Sequence, residues 1–183
     1  GFVSLGCPKN QLDAEVMLHE LYDAGFEIVS EDIDADVVIV NTCAFIESAK
    51  QESIDNIIDI GWLKKNRQLK GIVVTGCLAE RYRDAIFDEL PEVDAVLGVG
   101  SIHEIVNAVK SAAKGKRYSS YLDKDCVRLG GERIITTPEY YAYLKIAEGC
   151  DNRCTYCAIP NIRGRFRSRP MEELVDEAKV LEG

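Results

Sequence analysis

Val37-Val38-Ile39-Val40 is a run of four branched apolar residues with no polar position between them. A strand with one face in water alternates apolar with polar, so an unbroken run demands cover on both faces. Similar short runs recur along the first two thirds of the chain. They predict strands at residues 2–5, 27–30, 37–41, 72–75 and 95–99. Between them lie amphipathic stretches that predict helices at 13–24, 48–65, 84–90 and 102–114. In the first of these, Val16, Leu18, Leu21 and Tyr22 gather on one side, and Gly25 supplies the stop. Strands alternating with helices in this way define an α/β fold, a doubly wound parallel sheet over residues 1–115. The polar stretch 116–138, with Gly130-Gly131 inside it and Pro138 at its end, is expected to be a linker.

The cysteines fall at telling places on that scheme. Cys7, Cys43 and Cys77 each follow a predicted strand, so all three belong to the carboxyl edge of the sheet, where open α/β folds bind ligands. Three buried structural thiols are the plainer alternative, because Cys is among the most buried residue types. Their shared turn contexts, Gly6-Cys7-Pro8, Thr42-Cys43-Ala44 and Gly76-Cys77-Leu78, favour one metal site. A second triplet, Cys150, Cys154 and Cys157, has C-x3-C-x2-C spacing after an apolar run over 140–147. Structural zinc closes a tetrahedron with four ligands, and no fourth Cys or His follows Cys157. An iron–sulfur cube on three thiolates keeps one iron open to a small molecule. Soft thiolates serve either metal, so spacing alone leaves zinc and a cluster both available.

Composition narrows the partners. Lys+Arg number 22 against Asp+Glu 31, a net charge of −9, which opposes broad nonspecific binding to nucleic acid. The longest apolar runs fall far short of the roughly 20 residues of a transmembrane helix, and no secretion signal opens the chain, so a cytoplasmic location is expected. Seven cysteines, an odd number, argue for metal ligation over disulfides. The chain opens inside a strand-like run and stops after one helical pattern, and both ends are expected to continue in a longer protein.

Gly6-Cys7-Pro8-Lys9-Asn10, Asn41-Thr42-Cys43, Thr75-Gly76-Cys77 and Glu148-Gly149-Cys150-x3-Cys154-x2-Cys157 together resemble the radical S-adenosylmethionine (SAM) methylthiotransferases. The resemblance covers the whole chain. Within that family, Cys7-Pro8-Lys9-Asn10 and the run from Tyr143 to Gly149 are most similar to the branch that methylthiolates an aspartate β-carbon in small-subunit ribosomal protein twelve. A sister branch modifies isopentenylated adenosine in transfer RNA. The resemblance implies an amino-terminal methylthiotransferase domain followed, at residues 139–183, by the truncated start of a radical SAM (β/α) barrel, with residues 140–147 expected as its first strand and 171–181 as its first helix. It implies two 4Fe-4S clusters, one on Cys7, Cys43 and Cys77 and one on Cys150, Cys154 and Cys157. The second would bind SAM and reduce it to a hydrogen-abstracting radical, with Tyr156 beside the adenine. The first would carry the incoming sulfur, methylated by a second SAM. A reducing donor such as flavodoxin or ferredoxin is implied, and the incomplete barrel implies that this chain alone is inactive. Ala14 departs from the family, where Ser is usual, and puts a hydrogen bond at a helix start in doubt.

Other features take plainer readings. Arg163, Arg165, Arg167 and Arg169 alternate, which predicts a solvated extended stripe, with a grip on carboxylates or phosphates as the functional alternative. Gly98-Val99-Gly100 lacks the third glycine of a dinucleotide loop and follows the last strand, so it is set aside. Cys126 has no thiol neighbour, and His19 and His103 fall on helical patterns as surface residues. A noncatalytic iron–sulfur electron carrier stands as the competing function.

Overall fold

A computed structural model describes residues 1–30 and 32–182. Its first five strands, β1 (Phe2–Ser4), β2 (Val37–Thr42), β3 (Gly71–Gly76), β4 (Ala95–Leu97) and β5 (Tyr118–Ser120), form one parallel sheet in that spatial order. Every residue of β2 and β3 is buried, as their unbroken apolar runs require. Successive side chains point to opposite faces and feed two separate cores. On one side Val38, Val40, Ile72, Val74 and Val96 pack beneath α2 (Glu47–Asn66), α3 (Cys77–Tyr82) and α4 (Ala85–Glu89). On the other, Val37, Ile39, Val73, Ala95 and Leu97 meet Met17 and Leu21 of α1 (Pro8–Asp23) and Ile105, Ala108 and Val109 of α5 (Ile105–Ala112). The expected sheet with helices on both faces is therefore present.

Helix α1 begins five residues earlier than its apolar pattern suggests. Pro8 occupies its first turn, where a missing N–H costs nothing and the fixed φ is already helical. It ends as Gly25 turns to φ +83°, with the Phe26 amide returning to the Leu21 carbonyl at 3.0 Å. Ala14 thus lies buried in the helix interior, where a Ser hydroxyl would cap nothing.

Three expectations need correcting. Residues 27–30 form no strand: Val29 satisfies its apolar side chain by packing against the α2-side core, without ladder pairing. The expected linker instead starts by adding β5 to the sheet edge, and its later part is pinned to α1. The Ile134 amide donates to the Glu15 carbonyl at 3.1 Å, and the Thr136 amide to the buried Glu15 carboxylate at 2.9 Å. Arg133 pairs with that carboxylate and, at 3.1 Å, with Glu177. Lastly, the apolar run at 140–147 forms a strand only at its end. There β6 (Ala147–Glu148) pairs antiparallel with β7 (Arg167–Ser168), while the side chains of Tyr140, Tyr141 and Ile146 stay exposed. Between β6 and β7 lies α6 (Ile159–Arg163), and α7 (Met171–Glu182) follows, close to the predicted final helix. Among the described residues no parallel barrel strand is seen in this part of the chain. No described helix is long and apolar enough to cross a membrane.

Candidate metal centre

The sheet register brings the first three cysteines together. Ser4 pairs with Asn41, and Thr42 with Gly76, so Cys43 and Cys77 emerge side by side from neighbouring strands. Cys7 stands one short turn beyond β1, on the strand next to β2. Adjacent parallel strands lie about 4.8 Å apart, so three consecutive strands can serve one compact group. Cys43 and Cys77 are buried and Cys7 is exposed, which leaves the arrangement open on the Cys7 side.

Each thiol is held by identifiable neighbours. Ser53 of α2, fully buried, accepts from the Cys43 amide and reaches the Cys43 carbonyl, both at 3.0 Å. Gly6 sits at φ +98°, and a Cβ there would lie 2.8 Å from the Cys43 Cβ and 3.2 Å from its sulfur. Only glycine lets the chain pass so close to that thiol. Gly76, at φ +89°, would meet the Thr42 carbonyl at 2.5 Å in the same way.

Asn10 ties the strand ends together. It is fully buried one turn into α1, and its Nδ2 donates to the Leu5 carbonyl at 3.0 Å and the Thr42 carbonyl at 2.6 Å. Its own carbonyl accepts from Asn41 Nδ2 at 2.7 Å. Its Oδ1 faces the Cys77 sulfur at 3.6 Å and also accepts from Arg163. Burial pushes the Cys77 thiol up, Arg163 works against that, and the net displacement is upward.

The second triplet lies on the loop from β6 to α6. Cys154 is exposed, Cys150 and Cys157 are half-buried, and the Cys157 amide closes a turn on the Cys154 carbonyl at 3.0 Å. The base of the loop is closed by the Cys150 amide on the Gly164 carbonyl at 3.1 Å. Tyr156 is 91% exposed. In neither triplet do all three sulfurs lie within 4.8 Å of one another. The chemistry of the donor set, three soft thiolates in each triplet with the first open to solvent at Cys7, suits a thiophilic metal group. The one compact trio among the described residues, His19, Asp23 and Glu132, has two exposed carboxylates and went unmarked in the sequence.

The arginine stripe is not a solvated face. Arg163 and Arg169 are buried: Arg163 Nη1 meets Asp13 at 2.5 Å and Glu148 at 3.4 Å, and Arg169 meets Glu177 at 2.5 Å. Arg167 donates to the carbonyls of Val127 and Lys124, each at 2.7 Å. Only Arg165 points to water. These guanidiniums grip the chain's own acceptors. Burial raises and Lys145 and Arg163 lower the Asp13 carboxyl, which ends below the usual carboxylate range. His103 is exposed and paired with Glu20, as a surface histidine should be, and Cys126 bonds only to Asp123 at 3.5 Å.

An α/β protein whose parallel sheet presents three thiols along its carboxyl edge is the class this geometry defines. Residues 1–98 match the model of the family described as Uncharacterized protein family UPF0004, and the chain belongs to that family. Among curated relatives, it is 51% identical to the ribosomal protein uS12 methylthiotransferase RimO of Lachnoclostridium phytofermentans, over 98% of this chain and 41% of the relative. It is 51% identical to the protein of that name from Thermoanaerobacter sp. and 52% to that of Caldanaerobacter subterraneus subsp. tengcongensis, each over 99% of this chain and 42% of the relative. The resemblance carried by the cysteine motifs is thereby borne out. The chain spans about two fifths of the length of these relatives.

Proposed function

We propose that this chain carries the sulfur-handling domain and the first cluster loop of a radical SAM methylthiotransferase acting on ribosomal protein uS12. The observation that carries the proposal is the convergence of Cys7, Cys43 and Cys77 on three adjacent strand ends, in a chain half identical to relatives of that name. Cys7, Cys43 and Cys77 would hold one 4Fe-4S cluster, and Cys150, Cys154 and Cys157 the other. These groups, with SAM, would supply the reducing electron, the hydrogen-abstracting radical and a seat for the incoming sulfur, and a second SAM would supply the methyl group, to convert an aspartate β-C–H into C–S–CH3.

The chain's own residues position and shield. Ser53, Gly6 and Asn10 fix the backbone of the first thiols before any metal arrives, so loading requires little rearrangement. Burial of Cys43 and Cys77 keeps water from that side of the cluster, while exposed Cys7 leaves the other side for substrate. Tyr156, exposed on the cysteine loop, would stack on the SAM adenine. Residues 1–115 form the methylthiotransferase domain, 116–138 connect it, and 139–183 begin the radical SAM barrel, whose later strands give the tyrosine-rich segment its partners. A cytoplasmic setting and a flavodoxin or ferredoxin donor complete the proposal.

Anaerobic reconstitution with iron and sulfide tests it. Two cubes give about eight irons per chain. Cys43→Ala should remove half of that iron and leave the SAM-perturbed electron paramagnetic resonance signal in place, whereas Cys154→Ala should abolish that signal. Full iron content in Cys43→Ala would overturn the first site. In the full-length protein, mass analysis of uS12 and of transfer RNA for an added methylthio group tests the substrate.

A further inference from the structure

We infer that Arg163 is a positioning residue through which the loop of the second triplet completes the site of the first. Its guanidinium hydrogen-bonds the Cys77 sulfur and tunes the cluster held there. The inference rests on the reading of Cys7, Cys43 and Cys77 as cluster ligands. Arg163 is 2% exposed and closes α6, six residues beyond Cys157. Glu148, two residues before Cys150, is also buried. Arg163 and Glu148 therefore flank the second triplet on both sides, and both dock on α1. Arg163 Nη1 reaches Asp13 Oδ2 at 2.5 Å and Glu148 Oε2 at 3.4 Å. Lys145 bridges the same two carboxylates at 2.5 and 3.3 Å, and half-exposed Lys9 reaches Glu148 at 3.2 Å.

The strongest geometry open to a guanidinium as a counter-ion is bidentate, two nitrogens on one carboxylate. Arg163 does not adopt it. It places Nη1 alone on the two carboxylates and turns Nη2 to the first site, where it donates to Asn10 Oδ1 and to the Cys77 sulfur, the latter at 3.4 Å. Two of its contacts are thus spent on neutral partners that a fold-holding ion pair does not need. Hydrogen bonds to cluster sulfurs and nearby positive charge both favour the reduced, more negative state of an iron–sulfur cube. Partners one step removed from the metal also set ligand orientation. Arg163 therefore raises the reduction potential of the first cluster and makes it sensitive to how the second triplet's loop is seated.

The test uses the 183-residue chain with Cys150→Ala, Cys154→Ala and Cys157→Ala, so that only the first cluster forms. Midpoint potential is read by redox titration followed by electron paramagnetic resonance, with iron counted per chain. Arg163→Met should lower the midpoint potential relative to the parent. Arg163→Lys, which keeps a charge for Asp13 but cannot also reach Asn10 and Cys77, should fall between the two. Asp13→Asn, which loosens the docking and leaves the sulfur bond, should stay nearer the parent than Arg163→Met does. If Arg163→Met does not fold, Arg163→Lys decides: a lowered potential supports the inference and an unchanged one overturns it. Equal shifts in Asp13→Asn and Arg163→Met would reduce the effect to general loosening and overturn it as well. A parent that binds no iron would overturn the cluster reading itself and this inference with it, an outcome distinct from a loaded cluster with an unmoved potential.

Discussion

Replacing Asn10 with Ala removes the clamp that joins the ends of β1 and β2 to α1, and its cost can be worked from the bonds lost. Nδ2 gives up the Thr42 carbonyl at 2.6 Å in a buried setting and the Leu5 carbonyl at 3.0 Å in a partly buried one. Each neutral bond is worth about 1 kcal/mol net. Oδ1 gives up the charged Arg163 donor, a bond of about 1.5–3 kcal/mol. The total is about 4 kcal/mol, a large share of the roughly 5–15 kcal/mol that holds a domain folded. Urea unfolding of the apo chain followed by far-UV circular dichroism measures it, and an unchanged slope confirms that midpoint displacement reports stability. Asn56→Ala is the comparator: its amide caps the Glu52 carbonyl at 2.9 Å on an exposed face, and its loss should cost under about 0.5 kcal/mol. A loss below about 1 kcal/mol for Asn10→Ala would refute the clamp, because that is less than one satisfied buried bond.

Gly6→Ala should cost about 1–3 kcal/mol for a side chain forced into positive φ. It should also displace Cys43, so that iron retained on the first triplet falls while Cys150, Cys154 and Cys157 still load. Burial raises and Arg163 and Lys145 lower the Glu148 carboxyl, which like Asp13 ends below its usual range. Carboxyls so depressed contribute stability that is present above their unfolded values and lost as pH falls through the folded ones. Acid unfolding should therefore steepen below the ordinary carboxylate range and flatten in Asp13→Asn, as read by circular dichroism against pH. The hydrogen bond to Glu20 raises His103, so its contribution is present below the ordinary imidazole value and fades as pH climbs through the raised one. A proton–nitrogen NMR titration of the His103 ring should show an upward midpoint that returns to normal in Glu20→Gln.

What the sequence made legible was whatever rests on local pattern. The unbroken runs of β2 and β3 announced central strands, and cysteines placed immediately after them were bound to share an edge once the strands proved adjacent. Residues 27–30 misled because two apolar residues cannot say whether they pair or merely pack. The arginines misled for a different reason. Alternation predicts a common face, but the carboxylate that buries Arg163 lies 150 positions away, and only the tertiary fold brings it near. One signal was available and went unused. Asn10 and Asp13 share the helical stripe of Ala14, Met17 and Leu21, and polar side chains on an apolar stripe require buried partners.

Those buried partners explain why the fold tolerates charge where apolar packing would serve stability as well or better. Removing two ions from water offsets most of their attraction, so a buried pair adds little net stability, although deleting one member costs about 3–5 kcal/mol. What Asp13, Glu148, Lys145 and Arg163 contribute is geometry: directional bonds with one satisfied arrangement, where an apolar contact would permit sliding. They seize the cysteine loop at its two stems and leave its tip alone, for Cys154 and Tyr156 are exposed while Glu148 and Arg163 are buried. A loop fixed at the stems and open at the tip can accept a cluster and a small molecule without losing its register on α1. The same α1 presents Cys7 at its first residue's threshold and Asn10 one turn in, so the helix serves as a common datum for both thiol triplets. On that reading, movement of the second loop would be felt at the first site through Arg163, whose guanidinium bonds both Glu148 and the Cys77 sulfur.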